Sequence, residues 1–270
     1  MLRKKTLPFI SRTFIVCALT IMALSVCNAD QSAKSDGLIQ VGEMHETIGK
    51  GQHHGRVDLA EIVGRPHFYG VGALEALQGE ITILNSMAVI TVVSQEGRPQ
   101  PMESTDTKAT MLVGQSVSEW MDIPVTGKVS PEKFDGAIEA MAASKGIDVS
   151  KPFMFVVEGE FKDVRLHVIN GACPIHARMK KHGIEKRKEP FELEVKTANG
   201  TLVGVYAADS AGKLTHPTTR THTHLIYIDE KTGEHLTGHI EQVGLAKDAI
   251  LKLPSSGEQG AAPDADEPRR

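Results

Sequence analysis

Three imidazoles near the carboxyl end of this chain are spaced as metal ligands are. The sequence reads His222-Thr223-His224, then Leu225-Ile226-Tyr227-Ile228, the turn-forming Asp229-Glu230-Lys231-Thr232-Gly233, and His235. Side chains alternate faces along an extended strand, so His222 and His224 point the same way, and a turn at residues 229–233 folds His235 back beside them. Three neutral nitrogens converging on one point are the ligand set of an open zinc site, which keeps a fourth position for water or substrate. The plain alternative is a set of ordinary histidines, since the chain carries twelve. A His-x-His on a β-branched run, with another histidine across a hairpin, is nonetheless a much rarer pattern than a lone histidine. His239 shares the face of His235 if the strand continues, and stands as a rival ligand or as a partner behind the ligands.

The elements that must position this hairpin are mostly strands. Gly79 precedes Glu80-Ile81-Thr82-Ile83-Leu84, and residues 87–93 follow, which together read as a β meander. Gly70-x-Gly72 lacks the further glycine or Lys-Ser/Thr of a phosphate loop and is read as backbone freedom near a site or turn. Ser130-Pro131 caps a helix running to residues 144–146, with Phe134, Ile138 and Met141 at core spacing. Residues 153–157, a turn at Gly159, and residues 161–169 return to strand, with Arg165 and His167 on one face. A short helix covers residues 174–181. A hairpin with its turn at Asn199-Gly200 then precedes the histidine hairpin. The pattern is α+β: predominantly antiparallel or mixed sheet with a few helices, arranged as two β-rich subdomains with the metal site on the C-terminal hairpin.

The ends and the composition narrow the partners. A basic start, an apolar run at residues 13–26 and the small-residue exit Cys27-Asn28-Ala29 read as a secretory signal over residues 1–29. This implies an exported, periplasmic or secreted protein, with no membrane attachment once the signal is removed. Residues 30–37 read as a flexible linker, 38–254 as the folded domain and 255–270 as a disordered polar tail. Cys17 and Cys27 lie in the signal, so Cys173 has no internal disulfide partner. With 40% apolar residues and a net charge of −4, the chain can bury a core and carries no nucleic-acid footprint. A small-molecule partner is expected, and a homo-oligomer is compatible with all of this.

The segments YGVGALEALQGEITIL, GEFKDV, GTLVGVY and HTHLIYIDEKTGEHL, in this order and spacing, resemble the acetolactate decarboxylase family over residues 41–254. The resemblance implies Zn2+ held by His-x-His and a third histidine eleven residues later, a spacing that falls on His222, His224 and His235. It also implies a catalytic glutamate at Glu80. Two positions depart from the family pattern. Where the family carries an arginine on the strand after the Phe-Lys pair, this chain has His167, with Arg165 two residues earlier on the same face. Where the family places an acidic residue beyond its Leu-x-Leu-Pro segment, this chain has only the polar tail.

The chemistry so implied is decarboxylation of 2-acetolactate or a related 2-hydroxy-3-keto acid to an acetoin-type product. Zinc would be the Lewis acid, Glu80 the proton carrier, and Arg165 or protonated His167 the group that holds the substrate carboxylate or developing oxyanion. Arginine is always charged and forks to two oxygens, whereas histidine is charged only below about pH 6.5. Two other classes stay open: a zinc enzyme of hydrolase type in which Glu80 activates water, and a non-catalytic metal- or ligand-binding protein on the same scaffold. Glu80 and the histidines favour an enzyme, while the two departures favour the alternatives. The carboxy-lyase is the working expectation.

Overall fold

The computed structural model describes residues 37–255. The expected signal segment, linker and tail lie outside the described residues, except for Gly37 and Ser255 at their inner ends. In chain order the elements are β1 (Ile39–Val41), a π-helical turn (His45–Gly49), β2 (Val57–Asp58), α1 (Leu59–Val63), β3 (Phe68–Leu74) and β4 (Glu80–Leu84). There follow β5 (Met87–Val93), β6 (Pro99–Pro101), β7 (Lys108–Ser116), β8 (Trp120–Pro124), and a 3-10 turn (Pro131–Lys133) leading into α2 (Phe134–Ser144). The rest comprises β9 (Phe153–Val168), α3 (Pro174–Lys180), β10 (Phe191–Tyr206), β11 (Thr221–Ile228), β12 (His235–Leu245) and β13 (Ile250–Pro254).

The α+β expectation holds, and the strands form two antiparallel sheets. The first has the order β1-β7-β3-β4-β5-β6, with β2 also on β7. Its meander turns tightly at Asn85 and Ser86, both with positive φ (48° and 69°), the backbone of a two-residue hairpin loop. The second has the order β10-β11-β12-β9-β13-β8, and β10 also pairs with β9. Strands β9, β10, β11 and β12 therefore close into a ring.

That closure depends on two glycines whose role differs from the sequence expectation. Gly159 and Asn199-Gly200 were expected to be turns, yet β9 and β10 each run unbroken for 16 residues and pair with Gly159 opposite Gly200. Gly159 has φ +138°, and a Cβ on Gly200 would lie 2.1 Å from the Ile226 carbonyl oxygen. The glycines bend a long two-stranded ribbon and allow β11 to approach it. Beyond the bend, the other edge of β9 passes from β13 (at residues 156–158) to β12 (from residue 161 onward).

Side-chain alternation explains why both faces of this ribbon are apolar. One face gives Phe153, Phe155, Val157, Leu202 and Tyr206 to a core shared with Phe134, Ile138 and Ala142 of α2. The Phe153 and Tyr206 rings stack at 5.1 Å. The other face gives Met154, Val156, Val203 and Val205, which pack against Val71 and Val113 of the first sheet. A fully buried side chain of this size contributes roughly 1.5–3 kcal/mol, so the two layers are held in fixed register. Hydroxyls pin the seam as well: Thr82 and Thr237 meet at 2.6 Å, and the Thr237 N–H donates to Thr91 Oγ1 at 2.7 Å. Glu80, at the start of β4, is thereby held against the histidine strands.

Candidate metal centre and cleft

The histidine strand is β11, and its neighbour across the turn is β12. His224 lies directly opposite His239, and ligand nitrogens of His222, His224 and His239 all fall within 4.8 Å of one another. Their ring centroids are 5.0 to 5.4 Å apart. His235 does not join them. It opens β12 opposite Ile228 and is exposed, which corrects the expected third ligand. The reason is loop length. Residues 229–234 form a loop closed by the Asp229 N–H on the Glu234 carbonyl at 2.9 Å and the Gly233 N–H on the Asp229 carbonyl at 2.8 Å. The strand therefore resumes later than an eleven-residue spacing requires, and the third imidazole facing His224 is His239.

The hydrogen bonds around these rings leave the nitrogens that a metal needs. His222 Nδ1 donates to the Leu214 carbonyl at 3.1 Å, so its proton sits on Nδ1 and Nε2 keeps its lone pair. His224 Nδ1 is 3.2 Å from Thr82 Oγ1, itself held by Thr237. The Nε2 atoms of both rings are buried without a hydrogen-bond partner. Burial pushes His222 down to about 4 and holds His224 and His239 well below the usual histidine range. Three neutral imidazoles, two of them with an unpartnered buried Nε2 and the third with a ring nitrogen within 4.8 Å of theirs, fit a divalent ion of zinc's preference.

Glu80 stands beside them. Gly79 adopts φ +142°, and a Cβ there would lie 2.4 Å from the Thr91 carbonyl oxygen, so the chain turns into β4 with the carboxyl already inside. Glu80 is 2% exposed. Its Oε1 accepts the Ile169 N–H at 3.2 Å, and its Oε2 lies 3.7 Å from His224 Nε2. Burial pushes its carboxyl up to about 8, against the pull of the Ile169 N–H.

Arg165 and His167 do share a face of β9, as the sequence indicated, but that face is not plain solvated surface. His167 is 2% exposed, with Nδ1 2.9 Å from Glu241 Oε1 and Nε2 3.9 Å from Glu80 Oε1. Arg165, half exposed, reaches Glu241 Oε2 through Nε at 3.1 Å. Arg178 of α3 contacts Glu241 through Nη2 and Glu192 through Nη1 at 2.6 Å. Burial would raise the Glu241 carboxyl, but the hydrogen bonds and charges of His167 and Arg178 draw it down to about 2. Glu241, Arg178 and Thr82 were not singled out from the sequence. Only Glu241 left a trace there, two residues beyond His239.

The nitrogens are reached from one side. The β11–β12 ladder ends at the His224–His239 pair, and the strands then part, because β12 continues along β9. A cleft of about 600 Å³ fills the gap, lined by Thr221 and Thr223 on one side and residues 240–243 on the other. Residues at the start of α2 and on α3 wall it, Arg165, Arg178 and His216 bring positive or titratable groups to it, and His239 lies on it. A neutral ligand set with an acid beside it thus meets solvent at a rim of mixed charge, where Arg165 and Arg178 are paired with Glu241 and where Glu132 and Asp135 also stand.

Comparison with known proteins agrees with this architecture. The profile of the family described as Alpha-acetolactate decarboxylase matches residues 38–256. The alpha-acetolactate decarboxylase of Bacillus subtilis strain 168 superposes with a TM-score of 0.60 at 18% identity, covering 81% of this chain and 86% of that one. A Staphylococcus aureus protein of unknown function, described as similar to alpha-acetolactate decarboxylase, gives 0.57 at 15% identity, with 83% and 86% covered. At these identities the likeness speaks for the fold. No curated protein sequence matches.

Proposed function

The chain belongs to the alpha-acetolactate decarboxylase family, and on that premise we propose that it is a zinc-dependent carboxy-lyase acting on 2-acetolactate or a closely related 2-hydroxy-3-keto acid. The observation that carries this reading is the pairing of open, neutral imidazole nitrogens with the buried Glu80 carboxyl 3.7 Å from one of them. A divalent ion held by His222, His224 and His239 would supply Lewis acidity toward the electrons left behind when carbon dioxide departs.

The chain's own groups supply the remainder. Leu214 and Thr82 fix the His222 and His224 rings from behind, which holds the nitrogens in place. Glu80, whose carboxyl burial pushes up in the metal-free site, stands 3.7 Å from His224 Nε2 and is the group placed to pass a proton to the carbon that lost carbon dioxide. Its burial keeps bulk water from competing for that step. Arg165 engages Glu241 through Nε and lines the cleft, and its guanidinium is a permanent cation there that would hold the substrate carboxylate. The test is acetoin formation from racemic 2-acetolactate by the zinc-loaded protein, with Glu80→Gln as the inactive comparison. Zinc bound at one per chain with no acetoin formed would reject the reading.

A further inference from the structure

Glu241 is the carboxylate of this region that the steps above do not use, and its side chain is only 5% exposed. It occupies a β-bulge. Along the β12–β9 ladder Ile240 pairs with Leu166 and Gln242 with Arg165, which leaves Glu241 as the extra residue. Bulges re-aim side chains beside functional sites, and this one turns a carboxylate inward onto His167. Arg165 and Arg178 close over its oxygens from the cleft side.

The contact has a definite chemical consequence. An ionised carboxylate only accepts hydrogen bonds, so the 2.9 Å contact puts a hydrogen on His167 Nδ1 whether the ring is neutral or charged. Nε2 is then the nitrogen that faces inward, 3.9 Å from Glu80 Oε1, with the ring 5.0 Å from that of His239. We propose that Glu241 is a positioning residue: it fixes the ring orientation and tautomer of His167 so that Nε2 faces Glu80 and the space beside the three histidines. Two arginines hold Glu241 in turn, so the rim of the cleft and its floor are joined through one bulged residue. As a contribution to catalysis this rests on the decarboxylase reading, whereas the tautomer claim stands apart from it.

The two parts are tested separately. In the full chain with 15N-labelled histidine and zinc bound, the His167 Nδ1–H resonance, assigned by its loss in His167→Gln, is expected strongly downfield. It should move upfield and exchange faster with water in Glu241→Gln, because a neutral amide replaces a charged acceptor. The His222 Nδ1–H on Leu214 should stay put, and Arg178→Ala should leave the His167 signal downfield. In acetoin assays Glu241→Gln should lower kcat by roughly 10–100-fold, the usual cost of losing such a partner, with KM little changed. It should add almost nothing on top of His167→Gln. An unmoved Nδ1–H in Glu241→Gln overturns the proposal, as does equal loss from Glu241→Gln with and without His167. A parent that forms no acetoin removes the decarboxylase reading, while the resonance arm still decides what Glu241 does.

Discussion

Replacing His239 by Ala, with His235→Ala as its comparison, separates the two possible third ligands. Zinc held by a complete protein ligand set is worth roughly 10–16 kcal/mol, so one of three imidazoles accounts for about 3–5 kcal/mol, or roughly 10²–10⁴-fold in Kd at about 1.4 kcal/mol per decade. At a free zinc concentration of about 100 times the parent Kd, binding stabilises the fold by about 2.7 kcal/mol. In a domain of this size that raises Tm by roughly 5–10 °C. In His239→Ala the same zinc should stabilise by less than about 0.5 kcal/mol, a Tm rise of a degree or two. His235 is exposed at the start of β12, so His235→Ala should keep full zinc and shift stability by no more than about 0.5 kcal/mol. Elemental analysis and paired melts, with and without zinc, read both effects. Zinc retained by His239→Ala, or lost by His235→Ala, would refute the register argument and the ligand set built on it.

Other perturbations probe the supports. Thr82→Val removes the hydroxyl shared by His224 Nδ1 and Thr237; it should cost about 1–3 kcal/mol and weaken zinc roughly 10–100-fold, seen by denaturation and chelator competition. Phe155→Ala empties a fully buried position against α2 and should cost about 3–5 kcal/mol, with zinc stoichiometry intact in the fraction that folds. In the metal-free protein, His222 is lowered to about 4, so its contribution is complete above the unfolded value near 6.5 and is lost as pH falls toward 4, by roughly 3 kcal/mol at most. His224 and His239 act in the same direction. Glu80, raised to about 8, acts oppositely: its contribution is complete below about 4.5 and is lost as pH rises toward 8. Metal-free melts should therefore peak near pH 6.5 and decline on both sides; a flat profile from pH 4 to 8 would show that these groups are not buried as described.

How much of this could be read from the chain depends on how local each signal was. His222 and His224 sharing a strand face, Glu80 opening a strand after Gly79, and the helix behind Pro131 all follow from periods and caps within a few residues, and the structure has them so. The third histidine was a matter of register. Placing His235 opposite His224 would need a two-residue loop at Asp229-Glu230 with Thr232 and Gly233 inside a strand, whereas tight loops call for Asn-Gly or Asp-Gly. Asp229 instead caps Thr232 through both its N–H and its hydroxyl, a loop signal present in the sequence that outweighs a spacing carried over by resemblance. Asn199-Gly200 misled in the opposite direction: its turn chemistry is genuine, but the position is taken by close backbone approach to Ile226, a tertiary demand that no local window contains. Glu241 and His167 lie 74 residues apart and meet through a bulge and a closed ring of strands. A change from arginine to histidine that looks, along the chain, like the loss of a cation becomes in three dimensions half of a buried pair whose other half is a carboxylate backed by two arginines.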